Sequence, residues 1–438
     1  MFAVLVFIII LGVLIFVHEL GHFVTAIRNG IKASEFGFGF PPRILGVQLI
    51  TGRENKKEME LKSIDVRSID IKSQGEEIRE QIITERLEET ERPRPVKKWR
   101  MIWGSRDGDD ENEKENLQEA HEKKFHGGTI YSLNWIPLGG FVKIKGEDGG
   151  NKTDEDSFAG KSAWVRIKVL AAGVVMNFML AWLLISIVFM IGAPQAFDPS
   201  NASVTDAKIQ ISEISLNSPA QLAGLSVGDE ISKNQINSAG EKISLASVEE
   251  VQNYIKNNAG KEINLTIIRG SDASQIKVTP REIAPEGQGL MGVNLVQTKI
   301  VKYPWYQAFW EGLKSTYELT SAILVALGGI IKNIFIGEGV GVDVAGPVGI
   351  AVLTKQVTGL GIVYILQFAA LLSINLGIIN ILPIPALDGG RILFVIIEKI
   401  KGSPVSQKIE QAFHSIGFLL LIILLILVTF QDVMKFVK

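Results

Sequence analysis

The sequence predicts a polytopic α-helical membrane protein with four transmembrane helices and one folded α+β domain outside the cytoplasm. Three observations carry this. Apolar residues make up 47% of the 438 positions, yet they fall in long uncharged blocks separated by strongly charged segments. Four of those blocks are long enough to cross about 30 Å of hydrocarbon at 1.5 Å per residue. Lys and Arg gather beside the blocks in a pattern that sets their direction.

The first span covers 1–26. Met1 to Val17 has no charged residue, and the apolar run resumes through Phe23. A cleaved signal peptide would want a basic start and a small-residue cleavage site, so the segment reads as a retained helix. The second span covers 169–191, and Val169 to Ile191 is uncharged throughout. The third covers 362–390; its apolar part, Ile362 to Leu382, carries Gln367, Ser373, Asn375 and Asn380. The fourth covers 412–431. Between the second and third, the run Ala322 to Ile331 is too short to span, and 304–350 reads as interfacial, amphipathic helices.

Arg28, Lys32, Lys152, Lys161, Arg166 and Lys168 flank the first loop, and Arg391, Lys399, Lys401 and Lys408 occupy the last. Both loops therefore belong in the cytoplasm, and both termini and the loop from Gly192 belong outside. Lys435 and Lys438 weigh slightly against this.

Two regions are not membrane. Residues 51–126 hold 17 basic and 20 acidic side chains and no sustained apolar period, which suits a solvated, partly helical or disordered cytoplasmic insert. Residues 203–284 read as folded. Strand-like runs at Ile209 to Ile214, Ile263 to Ile268 and Ile276 to Thr279 surround a helix-like Val248 to Lys256.

Composition excludes several chemistries. With 45 basic against 47 acidic residues, nothing favours nucleic acid. With no cysteine, there is no disulfide, thiolate site or cysteine nucleophile, and a metal must be held by His, Asp or Glu.

The first apolar block ends His18-Glu19-Leu20-Gly21-His22. Histidines four apart share a helix face, so both imidazoles can reach one metal ion, and Glu19 can serve as general base toward a water the metal activates. Polar groups at membrane depth are costly and persist where they have partners or a task. A catalytic zinc normally takes three protein ligands, and the third comes from elsewhere. His121 and His126 flank the insert, and His414 reads as interfacial. The third block ends Asn380-Ile-Leu-Pro383-Ile-Pro385-Ala-Leu387-Asp388-Gly389-Gly390. The two prolines break a helix, freed backbone at that depth belongs inside protein or beside water, and Asp388 is the candidate that completes His-His-Asp.

The pairing of His18-Glu19-x-x-His22 with Asn380-x-x-Pro383-x-Pro385-x-Leu387-Asp388-Gly389 resembles the site-2 protease family, in its bacterial RseP-type branch of intramembrane zinc metalloproteases. The resemblance implies zinc held by His18, His22 and Asp388, Glu19 as catalytic base, and Asn380 with Pro383 and Pro385 at the bound substrate. It also implies membrane-associated β-hairpins at 33–50 and 127–146, around Glu35-Phe-Gly37-Phe-Gly39-Phe40 and Tyr131 to Lys143. Val174 stands where the family usually has proline, with Asn177 kept, and the insert exceeds the family's usual turn. Ser218-Pro219-Ala220-Gln-Leu-Ala223-Gly224 with Gly228-Asp229-Glu230-Ile231 resembles a PDZ domain, which captures extended peptides or peptide termini by strand addition. The substrates implied are single-span membrane proteins, either anti-sigma-factor-like or remnant signal peptides, met in the inner membrane. A silent membrane-anchored PDZ adaptor is the alternative, against which the intact Glu19 speaks. A zinc transporter would show internal repeats, and none is seen.

Overall fold

The computed structural model describes residues 2–54, 94–104, 125–196, 207–215, 217–236, 241–270, 272–285, 288–337, 346–403 and 405–437. The chain forms two compact units, Phe23–Ser162 and Met1–His22 joined with Ala163–Lys438.

In the first unit, β1 (Ala33–Glu54) lies between β2 (Arg94–Trp103) and β3 (Phe125–Ile144) in an antiparallel sheet. The sheet departs from the expected pair of hairpins, because β2 comes from within the 51–126 insert. The low apolar content that suggested solvated chain hides a strict alternation, Trp99, Met101, Trp103 against Lys98 and Arg100. The insert's two edges finish β1 and open β3, and its residues 55–93 and 105–124, His121 included, lie outside the described residues. Trp99, Met101 and Trp103 pair with Leu49, Val47 and Leu45, so these six share one face. Tyr131 and Leu133 extend it through Val47 and Leu45, and Trp99 and Trp103 are 67% and 72% exposed. The opposite face is polar: buried Arg43 is paired with Glu35 at 2.7 Å, and exposed Arg100 donates to buried Gln48, which donates to the Gly128 carbonyl. Beyond the sheet, Lys145 binds Asp154 and Asp156, and its hydrogen bond holds the Asp156 carboxyl below the usual range.

In the second unit α1 (Phe2–Arg28, to His22 here), α2 (Ala163–Ile191) and α7 (Ile362–Ile381) pack through small residues. Gly21 meets the Ala172 backbone, and Gly377 meets Phe178. Such contacts let helix backbones approach closely where lipid supplies no hydrophobic drive. Ile10 and Leu14 of α1 pack with Ala369 of α7, and Ala181, Ile185, Val188 and Phe189 of α2 pack with Ala370, Ile374 and Ile378.

An α+β module follows α2. Its strands are β4 (Ala193–Ala196), β5 (Lys208–Ile214), β6 (Glu230–Ile231), β7 (Asn234–Ile236), β8 (Lys242–Ser244), β9 (Ile263–Arg269), β10 (Asp272–Val278) and β11 (Val293–Val301). The main sheet runs β10-β9-β6-β5-β11-β4, with β7-β8 as a separate pair. Helices α3 (Pro219–Leu222) and α4 (Val248–Asn257) start at Ser218 and Ser247, whose hydroxyls accept from Gln221 N and Glu250 N. The module reaches beyond the expected 203–284 at both ends, since β4 and β11 are needed to finish its sheet. The Gly228-Asp229 turn has a structural cause. Asp229 is fully buried and binds Arg269 in bidentate fashion at 2.6 and 2.7 Å, which raises the guanidinium pKa further.

The remaining helices are α5 (Trp305–Ile336), α6 (Pro347–Leu360), α8 (Asp388–Lys401) and α9 (Gln407–Val437). Five helices, α1, α2, α5, α7 and α9, are long and apolar enough to cross a membrane, where the sequence predicts four spans. The difference is α5, a single 32-residue helix in place of short interfacial pieces. A search for uncharged runs stops at Glu318 and Lys332, but the helix continues through both. The expected third span, 362–390, is also two helices, because the Pro383–Pro385 segment separates α7 from α8.

Candidate metal centre

His18 and His22 stand one turn apart on α1, Asp388 opens α8, and α2 closes the site from a third side. His18 Nε2 lies 2.9 Å from Asp388 Oδ2 and 3.1 Å from His22 Nε2, and His22 Nε2 lies 3.3 Å from Asp388 Oδ2. Donors bound tetrahedrally to zinc at about 2.0–2.1 Å stand roughly 3.3 Å from one another, so the three atoms occupy the corners of such a site. Two imidazoles and one carboxylate also match the donor preference of zinc.

The ring orientations are fixed from behind. His22 Nδ1 donates to the Val169 carbonyl at 2.8 Å, leaving the Nε2 lone pair for a metal. His18 Nδ1 lies 3.1 Å from the side-chain Nδ2 of fully buried Asn177, whose Oδ1 has no described partner. Turned with that oxygen to the ring, the amide accepts the His18 Nδ1 proton. Ser373 on α7 donates to the Asn177 carbonyl at 2.7 Å, tying the supporting residue to a second helix. Gly173, four residues before Asn177, keeps the centre open: a Cβ there would stand 2.5 Å from His22 Nε2 and 2.7 Å from His18 Cε1.

The structure brings three of the seven predicted site residues together as a group of potential ligands. Glu19 is half-buried beside His18, and its charge acts on His22. Asn380 is in the last turn of α7, and its side chain has no hydrogen bond among the described residues. Pro383 is exposed and Pro385 half-buried in the segment between α7 and α8. Sequence reasoning assigns no role to Asn177, Gly173 or His414. The four-residue spacing of Gly173 and Asn177 on a buried helix was the available signal for the first two.

Two histidines and one carboxylate grouped as potential metal ligands, with an adjacent glutamate and apolar helices around them, fit a membrane zinc metalloprotease. The family model described as peptidase family M50 matches residues 6–56 and 119–424, leaving out 57–118 within the insert, and the chain belongs to that family. Three relatives are similar over nearly their whole length. The regulator of sigma-W protease RasP of Bacillus subtilis is 32% identical over 99% of this chain and 98% of its own. The zinc metalloprotease RasP of Geobacillus kaustophilus is 30% identical over 99% and 98%. That of Oceanobacillus iheyensis is 31% identical over 99% of each.

Proposed function

We propose that this intramembrane zinc protease cuts single-span membrane proteins in or near their transmembrane helix, with His18, His22 and Asp388 as zinc ligands and Glu19 as general base. The observation that carries the reading is the convergence of His18, His22 and Asp388 on helices apolar enough to cross a bilayer. Zinc held there supplies Lewis acidity to a scissile carbonyl and to the attacking water. Glu19 takes the proton from that water and hands it to the departing amine. Asn380, at the frayed end of α7, offers an amide to the substrate backbone, while Pro383 and Pro385 keep the following segment out of helix. A helical substrate has its amides already paired, so it must unwind before attack.

The substrates we favour are anti-sigma-factor-like proteins or remnant signal peptides, in line with the name of the Bacillus subtilis relative. The α+β module reads as PDZ-like, with peptide termini adding as a strand along β11 beside α4. In support, β11 pairs with β4 only over Thr298–Val301, so Val293–Gln297 have no described partner on that side. The exposed Trp99, Met101, Trp103, Tyr131 and Leu133 suit a sheet face immersed at the lipid interface, where tryptophan and tyrosine concentrate.

Our topology is an inner-membrane protein with both termini and the module outside, the insert inside, and four crossings. Parity supports four. Asp388, after the end of α7, meets His22 near the end of α1, so these two helices run the same way. Val169, near the start of α2, meets His22 too, so α2 runs oppositely. An even number of crossings must then lie between α2 and α7. The 14-residue α6 reaches only about 21 Å and cannot be one, so α5 does not cross alone.

The direct test is cleavage of a tagged single-span substrate in membranes by wild type, by Glu19→Gln, and by wild type with a zinc chelator. Loss in both altered samples is the expected result. Normal turnover by Glu19→Gln removes Glu19 as base, and turnover unaffected by chelation removes the zinc mechanism.

A further inference from the structure

Helix α9 touches the rest of the protein sparingly, and Ile416 and Phe418 to Leu420 on it are exposed. One of its two anchorage points is the segment that carries Asp388. His414 Nδ1 accepts the backbone N–H of Ala386 at 2.9 Å. One turn on, Gly417 faces the Pro385 ring so closely that a Cβ would stand 2.8 Å from Pro385 Cγ and 3.0 Å from Pro385 Cα. Ala386 has φ +70°, a left-handed conformation that is strained for a non-glycine residue and persists where its surroundings hold it. Asp388 is two residues further along. On its other side His414 meets Gly390, whose Cβ would stand 3.4 Å from His414 Cε1, and the ring packs against Phe394 at 5.8 Å.

We infer that His414 and Gly417 of α9 form a clamp that holds Pro385-Ala386 in its left-handed turn and thereby sets Asp388 against His18 and His22. His414 is a positioning residue. It touches no ligand atom, and it acts by capturing an N–H that the helix break would otherwise leave unpaired. The other anchorage explains how the clamp is held. Asp432 of α9, 2% exposed, accepts from Gly349 N at 2.8 Å, tying the far end of α9 to the first turn of α6. His414 and Asp432 are 18 residues apart, about 27 Å along the helix, so α9 is a strut fastened at both ends.

The inference rests on the zinc-ligand reading, and the test separates the two. Zinc affinity of the full chain in nanodiscs is measured by competition with a chromogenic chelator, alongside thermal unfolding of the apo forms. Wild type binding zinc and Asp388→Ala failing to do so establishes the ligand set first; full occupancy in Asp388→Ala overturns that reading instead. Given the ligand set, His414→Phe keeps the ring volume, loses the acceptor, and is expected to weaken zinc binding at least about tenfold, the size seen for residues that orient metal ligands. His414→Gln, whose carbonyl can accept from Ala386, is expected to recover most of it. Replacing Ala386 by glycine in the His414→Phe background should also recover part, because glycine holds φ +70° without strain. If His414→Phe does not fold, Gly417→Ala asks the same question from the other residue of the clamp. Zinc affinity within about twofold of wild type in folded His414→Phe or Gly417→Ala overturns the clamp, as does equal loss in His414→Phe and His414→Gln.

Discussion

At the scale of single residues, the proposed centre separates groups placed to hold a metal from groups that orient them. Glu19→Gln is expected to keep zinc content and unfolding temperature while lowering turnover at least about 100-fold, since a positioned base contributes on that order; metal analysis beside a cleavage assay checks this. Asn177→Ala removes the amide behind His18 and should weaken zinc binding by about tenfold, read by chelator competition, with Asn177→Gln no substitute because its amide lies one methylene too far. Gly173→Ala is the sharper case. Its added methyl occupies space between the two imidazoles, so metal binding should be lost rather than weakened.

At the scale of elements, the sheet of the first unit inverts the usual soluble arrangement, polar within and aromatic without. Burying an isolated charge is costly, which is why Arg43 and Glu35 meet, while the exposed tryptophans motivate the proposed lipid contact. The absence of native cysteine makes this simple to probe. A polarity-sensitive dye on Met101→Cys should shift to the blue on adding bilayers, whereas the same dye on Lys98→Cys, on the opposite face, should not. Equal responses at both positions would remove the membrane-facing assignment. The broken α7–α8 segment shows the same economy: residues that cannot continue a helix place Asp388 where a continuous helix would carry it past the histidines.

For the whole molecule, the proposed four crossings rest on the directions of α1, α2 and α7 at the candidate metal centre, and α5 is where they are tested. Cysteines at Lys302 and Lys332, near the two ends of α5, are expected to react with an impermeant maleimide from the same side of sealed vesicles. Labelling from opposite sides would mean that α5 crosses. The α+β module has its own point of failure. Arg269→Ala leaves the buried Asp229 carboxylate with the Ser226 N–H; with the guanidinium partly exposed, the loss is expected at about 1–3 kcal/mol, below that for a fully buried pair. Hydrogen exchange in β5, β6 and β9 should rise sharply while zinc binding is retained; unchanged exchange would show that the pair contributes little.

Much of this protein was legible in its residues. His18, Glu19 and His22 sit within a few positions of each other, and a helical period is enough to put both imidazoles on one face. The long apolar blocks and the alternating runs of the module, Ile209 to Ile214 and Ile263 to Ile268, are local patterns as well. What the sequence left open is what depends on distant segments meeting. Asp388 lies 370 residues from His18, and only packing of α1, α2 and α7 through Gly21, Gly173 and Gly377 brings them within bonding distance. Asn177 behind His18, and His414 at Ala386, are contacts between helices far apart in the chain; the spacing of Gly173 and Asn177 could mark a shared helix face, but not what that face meets. Strand β2 escaped notice because the charge of its surroundings masked its alternation, and α5 because helices tolerate charged residues that a hydropathy window does not. Local periodicity put His18 and His22 on one face and marked most of the elements, because both are short-range patterns; only the tertiary fold decided that Asp388 meets the two histidines and which residues position all three.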